Sequence, residues 1–293
     1  MQGIDFTFIW WLLLTFFLLL FITPMMQRRV LVARRASLIR EIEQKRATRV
    51  ITLIHRQEVV SLLGIPLSRY IDVEDSVDVL RAIRLTDPKT PIDLVVHTPG
   101  GLVFAAQQIA MAMHRHPGKV TVVVPHYAMS GGTLLALAAD EVLMDTNAVL
   151  GPVDPQIPAG LGTTYPAASI MAALRHKNPN RDDRTLILGD IARKATAQVE
   201  EAAFDLLAER MGKAKARRTA KMLVEGDWTH DRPITPGQAR EMGLPVSTEL
   251  PAEFHLLLEL YPQPTRRMAT VEYLPGPYPD RERSPKGERS RGK

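Results

Sequence analysis

The chain has 293 residues, which is enough for one large α/β domain with short appended segments. It contains no cysteine, so disulfide scaffolds, cysteine-ligated zinc sites and thiol nucleophiles are excluded. The net charge of +5 is small, and the basic excess lies near the N-terminus and in the C-terminal tail. That distribution favours a membrane surface over a nucleic acid as a partner.

The first predicted element is an apolar segment, Phe6–Met26, which carries no charged residue and has about the length of a bilayer-spanning helix. Arg28 and Arg29 follow it, whereas residues 1–5 contain no basic residue, so the pattern differs from that of a cleaved signal peptide. We therefore predict one transmembrane signal anchor at 1–27, in contact with the lipid bilayer of the cell (inner) membrane. The positive-inside rule puts the remainder of this single-pass chain in the cytoplasm.

Three further regions follow the anchor. Residues 28–48 are predicted to form a basic juxtamembrane helix, and residues 49–273 the folded domain. Residues 274–293 are charged, rich in proline and nearly devoid of apolar side chains, which predicts a disordered tail.

The folded domain begins with a predicted strand, Val50–Ile54. The stretch His55–Ser68 shows no clear period and is interpreted as a packed loop or, alternatively, a mobile flap. A helix is predicted at Asp75–Leu85, with Asp75 or Ser76 as its N-terminal cap.

A βαβα unit follows this helix. A buried strand is predicted at Pro91–Val96, a turn at Gly100-Gly101, a helix at Leu102–His114 and a second buried strand at Val120–Val124. This order is typical of a parallel sheet with right-handed crossovers.

The second buried strand leads to a serine between small residues, in the segment Ala128–Gly132, and then to an apolar helix, Thr133–Ala139. A sharp turn from strand to buried helix with a serine at the bend resembles a nucleophile elbow. The alternative is that Ser130 only caps the helix. Because loops at the carboxyl ends of parallel strands converge, the Gly-Gly turn and Ser130 are expected to face one site, which favours the catalytic interpretation.

After a short predicted strand, Glu141–Met144, the segment Asn147–Pro158 is interpreted as an irregular wall rich in proline and glycine. A long helix is predicted at Thr185–Met211. On a helical wheel Lys194 lies at the edge of an apolar stripe, which is expected to pack as one face. The stripe consists of Ile187, Ile191, Ala195, Ala202 and Leu206.

Three segments in this order carry a resemblance to a known superfamily: His97–Gly101, Ala128–Asp140 and Gly226–Leu244. Over roughly residues 50–250 the chain resembles the Clp-protease/crotonase superfamily. Within that superfamily it is most similar to the serine dehydrogenase proteinases and to membrane-anchored serine peptidases of the signal-peptide peptidase A type. The resemblance implies an α/β fold of stacked ββα units with a mainly parallel sheet, and assembly into a homo-oligomer.

The resemblance also implies a catalytic machinery. Ser130 matches the nucleophile, and the backbone amides of Gly101 and Gly131 match the oxyanion hole. The Clp peptidases carry a histidine base in the segment that corresponds to Gly151–Pro158, which contains no histidine here. Signal-peptide peptidase relatives use a lysine instead, which makes Lys194 the first choice of base and Lys177, with its polar neighbours, the second.

Other polar residues carry weaker predictions. His97 and His126 adjoin the expected cleft but are interpreted as structural, and Asp154 as a turn former rather than a triad carboxylate. The sequence contains no H-E-x-x-H motif and no glycine-rich loop followed by Lys-Ser/Thr, so no metal, cofactor or ATPase activity is expected.

The function that we predict is a membrane-anchored, ATP-independent serine peptidase. It would cleave peptides or membrane-protein segments with a Ser130–Lys194 dyad. The alternatives are a catalytically inactive oligomeric scaffold at the membrane and, less favoured, a crotonase-type acyl-CoA enzyme.

Overall fold

The computed structural model describes residues 6–55, 60–62, 65–67, 70–160, 163–225 and 228–261. The predicted tail at 274–293 and part of the predicted flap lie outside these residues. The helices are α1 (Phe6–Arg46), α2 (Val73–Leu85), α3 (Val103–His114), α4 (Gly131–Ala138), α5 (Ala167–Arg175), α6 (Asp183–Met211), α7 (Lys213–Val224), α8 (Pro236–Met242) and α9 (Ala252–Glu259). The strands are β1 (Arg49–Ile54), β2 (Val60–Leu62), β3 (Ile65–Leu67), β4 (Ile92–His97), β5 (Val120–Val124), β6 (Tyr127–Ala128), β7 (Glu141–Met144), β8 (Val149–Leu150), β9 (Gln156–Gly160), β10 (Thr163–Pro166) and β11 (Val246–Ser247).

The central element is a five-stranded sheet in the order β1-β4-β5-β7-β11. Each neighbouring pair in it is parallel. The residues of β4 and β5 are all buried, as expected for central strands of a parallel sheet covered on both faces. The predicted α/β fold with a mainly parallel sheet is therefore confirmed.

Helices pack against both faces of this sheet. One face carries the larger core, to which α2, α3, α4, α7 and the C-terminal half of α6 contribute. The opposite face is covered by α9 and the end of α1, where Ile42 packs in a cluster with Val95, Val123 and Phe254. At 25 cal/mol per Å² of buried apolar surface, such side chains each contribute about 1.5–3 kcal/mol, so the end of α1 is part of the folded domain.

A buried ion pair attaches the end of α1 to the sheet. Asp93 in β4 is fully buried, and its carboxylate accepts hydrogen bonds from Arg46 Nε at 2.6 Å and Nη2 at 3.1 Å. The hydroxyl of Thr48 donates to the same carboxylate at 2.7 Å. The pKa of Arg46 is raised by its hydrogen bonds to Asp93, against the opposing effect of burial. Three donors thus compensate the burial of one carboxylate.

The N-terminal part of α1 bears on the predicted anchor. The helix continues without a break across the predicted boundary between residues 27 and 28. Among the described residues, no helix is long and apolar enough to cross a membrane. The structure therefore does not support the predicted transmembrane helix at 1–27.

Two local predictions need correction. Helix α2 is capped by Asp72, and Asp75 is the reciprocal partner in the capping box, so the cap lies earlier than predicted. The predicted apolar face of α6 is continuous only in sequence, because Ala202 and Leu206 are buried whereas Ile187 is 60% exposed. Only the C-terminal half of the helix passes over the main core.

Candidate active site

Ser130 occupies the sharp turn between β6 and α4. Its backbone has φ 49° and ψ −111°, a conformation that L-residues avoid and that costs about 1–3 kcal/mol. It stands at the N-cap position of α4, yet its side chain makes no capping hydrogen bond. The capping interpretation therefore does not account for the serine, whereas a hydroxyl presented at a strained strand-to-helix turn is the arrangement of a nucleophile elbow.

The Gly-Gly turn lies directly against this serine. Gly100 has φ 111°, and a Cβ atom on it would come within 2.7 Å of the Cβ atom of Ser130. Gly101 has φ 157° and is so close to the backbone of Ile71 that a side chain there would collide with it. Both positions therefore require glycine, and the two loops predicted to share a site do meet.

The amides of Gly101 and Gly131 are neighbours at this point. The nitrogen of Gly101 lies 3.6 Å from the position that a Cβ atom on Gly131 would take. Gly131 opens α4, so its amide is one of the N–H groups that a helix cannot satisfy internally. Among the described residues, neither amide donates a hydrogen bond to another group. Two adjacent, available donors beside a serine can bind a developing oxyanion.

A small second sheet continues the site on the far side of Ser130. Strand β6, which precedes Ser130, pairs in parallel with β8, and Leu150 of β8 forms an antiparallel bridge with Ile234. Thr133 ties this sheet to α4, because its hydroxyl donates to Gly151 O at 2.8 Å and accepts from Gly151 N at 3.1 Å. The chain after Leu150 and the chain before Ile234 therefore lie at the end of this sheet where Ser130 lies.

These two segments bring together a histidine and an aspartate. His230 Nδ1 lies 2.6 Å from Asp154 Oδ1, and Gln156 Nε2 donates to Asp154 Oδ2 at 2.6 Å. The Asp154 side chain is only 1% exposed, whereas that of His230 is half-buried. The hydrogen bond that His230 donates to Asp154 raises the pKa of His230 above its ordinary value, although burial opposes this effect. A carboxylate only accepts hydrogen bonds, so Nδ1 carries a proton and Nε2 is the basic nitrogen.

The two predicted lysines lie on α6 and in the segment before it. Lys194 is 64% exposed on α6, and its ammonium pairs with Asp190 at 2.5 Å. Lys177 is exposed in the connection between α5 and α6. In the described residues no hydrogen bond joins either lysine to Ser130. A lysine base requires burial in apolar surroundings, and neither lysine has them in this chain.

His97 and His126 form an aromatic cluster with Tyr127 beside the turn. The ring centroids of His97 and Tyr127 are 4.2 Å apart, and those of His97 and His126 are 5.6 Å apart. His97 is buried and His126 is exposed. The cluster packs the carboxyl end of β4 against β6, which agrees with the structural role that the sequence suggested for both histidines.

His230 was not among the residues predicted to be functional, and Asp154 was predicted to be a turn former. The signal in the sequence was indirect: Asp154 lies in the irregular segment Asn147–Pro158, and His230 lies in the late segment Gly226–Leu244 that carried the resemblance. Their pairing depends on a contact between residues far apart in the chain. No local pattern reports such a contact.

A family model described as "ClpP-like SDH-type serine proteinase" matches residues 2–288 of the chain. The chain belongs to this family. This confirms the resemblance to the Clp-protease superfamily and indicates a serine peptidase as the general class of activity.

Two relatives of this family member come from Methanocaldococcus jannaschii, and both are described as uncharacterized. The protein MJ1495 is 52% identical over 254 residues, which cover 87% of this chain and 85% of MJ1495. The protein MJ0137 is 53% identical over 244 residues, which cover 83% of this chain and 84% of MJ0137. These similarities extend over the site described above, but they assign no substrate and no catalytic residue.

Proposed function

We propose that the protein is a serine peptidase in which Ser130 is the nucleophile. The observation that carries the proposal is the backbone of Ser130 itself, with φ 49° and ψ −111°, beside two neighbouring amides. A strained conformation persists only where the surroundings hold it, and here it presents a hydroxyl next to a ready anion-binding site.

The proposed reaction is acyl transfer to the serine. Ser130 Oγ attacks the carbonyl carbon of a peptide bond, and the amides of Gly101 and Gly131 stabilise the oxyanion that forms. A general base takes the hydroxyl proton and returns it to the leaving amine, and water then releases the acyl group by the reverse path. No bound cofactor is needed for either half of this cycle.

For the base we favour His230, oriented by Asp154. The support is the 2.6 Å hydrogen bond between them, the deep burial of the carboxylate and their location at the end of the β6–β8 sheet where Ser130 lies. The carboxylate would hold the imidazole in the tautomer with a basic Nε2 and stabilise the imidazolium. The Ser130–Lys194 dyad stays the competing prediction, and alanine variants of His230 and Lys194 separate the two.

A labelled fluorophosphonate tests the nucleophile. Wild-type protein should form an adduct at Ser130, and Ser130→Ala should form none. Ser169→Ala is the matched control, because Ser169 is an exposed serine on α5 and its loss should leave labelling unchanged. If the probe labels the wild-type protein neither in membranes nor in detergent, the inactive scaffold is favoured. Hydrolysis of an acyl-CoA without a Ser130 adduct would favour the crotonase-type enzyme.

We also propose that the N-terminal half of α1 attaches the enzyme to the cell (inner) membrane, with the catalytic domain in the cytoplasm. The support is the charge-free sequence of Phe6–Met26, the exposed aromatic side chains of Trp10, Trp11 and Phe16, and the arginines that follow. Substrates would then be peptides or segments of membrane proteins. The native protein should resist extraction from membranes by alkaline carbonate, and a chain that lacks residues 1–27 should be extracted.

Self-association is the last part of the proposal. The first half of α6 exposes Leu186, Ile187 and Ile191, which suits contact with a second copy of the chain. ClpP-like proteases are typically oligomeric, and an assembly would restrict access to extended chains. Sedimentation should show an oligomer that Ile187→Glu dissociates. Met222→Glu, at an exposed apolar position on α7, is the control and should leave the assembly unchanged.

A further inference from the structure

A second histidine–aspartate pair lies beneath the Gly-Gly turn, outside the groups that the proposed reaction uses. His55 follows β1 and is buried, with its Nε2 3.1 Å from Asp75 Oδ2 and its Nδ1 2.9 Å from the hydroxyl of Thr98. Thr98 is fully buried, so neither it nor His55 is placed to meet a substrate. Burying a polar side chain costs free energy unless its hydrogen bonds are made, so a buried pair of this kind indicates a specific role.

The pair belongs to a ring of hydrogen bonds that encloses the turn. The Thr98 hydroxyl accepts from Gly100 N at 3.2 Å, and Gly100 O accepts from Ile71 N at 2.7 Å. Ile71 directly precedes α2 and its N-cap, and the capping box of this helix contains Asp75. The carboxylate of Asp75 pairs with His55, which closes the ring of hydrogen bonds. Both sides of Gly100 are therefore held, one by Thr98 and the other by Ile71.

The direction of these hydrogen bonds follows from the chemistry of the groups. Asp75 accepts, so Nε2 of His55 donates to it, and in the neutral imidazole Nδ1 is then the acceptor. The Thr98 hydroxyl has one proton and two acceptors within reach, Nδ1 of His55 at 2.9 Å and Gly100 O at 3.2 Å. It donates to the nearer acceptor, Nδ1, and accepts from Gly100 N with its lone pairs. The hydrogen bonds from His55 and from the amide of Asp72 lower the pKa of Asp75, outweighing the opposing effect of its burial, so this carboxylate is ionised near neutral pH.

The ring determines where the amide of Gly101 points. In a trans peptide the N–H of one residue points opposite to the C=O of the residue before it. Since Gly100 O points to the Ile71 amide, the N–H of Gly101 points away from Ile71. Gly131 is a close neighbour of this amide, since Gly101 N is only 3.6 Å from the Cβ position on Gly131. A rotation of this one peptide would remove the donor from the site.

We propose that His55 and Asp75 are positioning residues that hold the Gly100–Gly101 peptide, through Thr98 and Ile71, with its amide directed at the oxyanion. The inference rests on the proposed function, because the oxyanion exists only if Ser130 attacks a carbonyl. An oxyanion donor acts on the transition state and hardly on substrate binding. Loss of the pair should therefore lower kcat and leave KM nearly unchanged.

The first test replaces the polar atoms and keeps the volume. His55→Phe and Thr98→Val should each lower kcat for an apolar peptide substrate by about 10- to 100-fold, less than the roughly 10²–10³-fold loss on removal of an oxyanion donor. Thr98→Ser keeps the hydroxyl and should retain most of the activity. His116→Phe is the matched control, because the ring of His116 also makes a hydrogen bond within the fold, with Thr90 O, but at the opposite end of the sheet.

A second readout needs no catalysis. In full-length protein labelled with [¹⁵N]glycine, the amide resonances of Gly100 and Gly101 should move in His55→Phe and Thr98→Val but keep their wild-type positions in His116→Phe. If they move and the wild-type protein neither reacts with fluorophosphonate nor cleaves peptides, the positioning role stands and the proposed peptidase falls. Unchanged resonances in Thr98→Val, or a kcat that His55→Phe leaves at the wild-type value, would overturn the positioning role.

Discussion

Two acid–base pairs of nearly equal length lie in opposite environments. Asp154 and His230 are 2.6 Å apart, and Asp190 and Lys194 are 2.5 Å apart. The Asp154 side chain is 1% exposed, whereas both members of the α6 pair are about half-exposed or more. Distance therefore does not distinguish the pairs, but burial does.

Burial decides what each pair can do. An exposed ion pair is screened by water and salt, and its contribution to stability is often not measurable. A buried carboxylate keeps its interaction with a neighbouring imidazole and holds one tautomer of that ring. The Asp154–His230 pair therefore has the properties of a base and its orienting group, and the Asp190–Lys194 pair those of a surface contact within one helix.

The largest expected difference between the pairs is in turnover. His230→Ala should lower kcat by about 10⁴- to 10⁶-fold, as loss of the base does in serine peptidases with a triad. Lys194→Ala should keep kcat within a few-fold of the wild-type value. Both variants should be compared by peptide hydrolysis and by the rate of fluorophosphonate labelling, with circular dichroism as a check on folding.

The opposite result would reverse the assignment. If Lys194→Ala and Lys194→Arg are inactive while His230→Ala turns over normally, the Ser130–Lys194 dyad predicted from the sequence is the machinery. Lys177→Ala serves as the matched lysine control, because Lys177 is exposed and outside any helix. Its loss should have no effect under either assignment, and an inactive Lys177→Ala would move the base to Lys177.

The two aspartates offer a subtler comparison. Asp154→Asn keeps the side-chain volume but removes the charge and favours the wrong imidazole tautomer, which should cost about 10⁴-fold in kcat. Asp190→Asn makes the same chemical change on the surface and should leave kcat unchanged. Steady-state kinetics on both variants check this difference, and equal losses in the two would remove Asp154 from the mechanism.

A pH profile sharpens the comparison further. The hydrogen bond that His230 donates to Asp154 raises the pKa of His230, so kcat/KM should increase with pH as His230 loses its proton, with a midpoint above the ordinary value for histidine. Removing the carboxylate removes the cause of the shift, so the residual activity of Asp154→Asn should have its midpoint at lower pH. A midpoint that Asp154→Asn does not move would exclude His230 as the titrating base.

Local patterns in the sequence were enough to predict several parts of the fold and the site. The strands at Val120–Val124 and Glu141–Met144 were predicted to the residue, because a short run of β-branched and aliphatic residues bounded by polar or turn-forming residues is typical of a buried strand. The meeting of Gly100 with Ser130 followed from the rule that loops converge at the carboxyl ends of parallel strands.

The remaining features depend on tertiary contacts. The helical wheel gave α6 one apolar face, but a wheel does not show that the main core ends halfway along the helix. Lys194 was predicted to lie at the edge of that face, because the wheel does not show that the core ends before this part of the helix. The pairings of His230 with Asp154 and of His55 with Asp75 join residues distant in the chain, which periodicity and propensity do not report.

The smallest expected effect concerns stability, and it again separates the two pairs. Asp154→Asn should lower the free energy of unfolding by about 1–3 kcal/mol near pH 6, because protonated His230 loses its buried charged partner. The pKa of His230 is higher in the folded protein than in the unfolded chain. The stability that protonated His230 contributes is therefore fully present at pH values below the unfolded pKa. That contribution is lost as pH rises through the folded pKa. The difference between wild type and Asp154→Asn in urea unfolding should be measured at two pH values, one below the ordinary pKa of histidine and one above the raised pKa of His230, and should be smaller at the higher pH. Asp190→Asn should show no measurable change in the urea midpoint at either pH, since its pair is exposed and screened. If the Asp154→Asn difference were independent of pH, the charge on His230 would contribute nothing to the folded state, and the pair would not be the electrostatic unit that the geometry indicates.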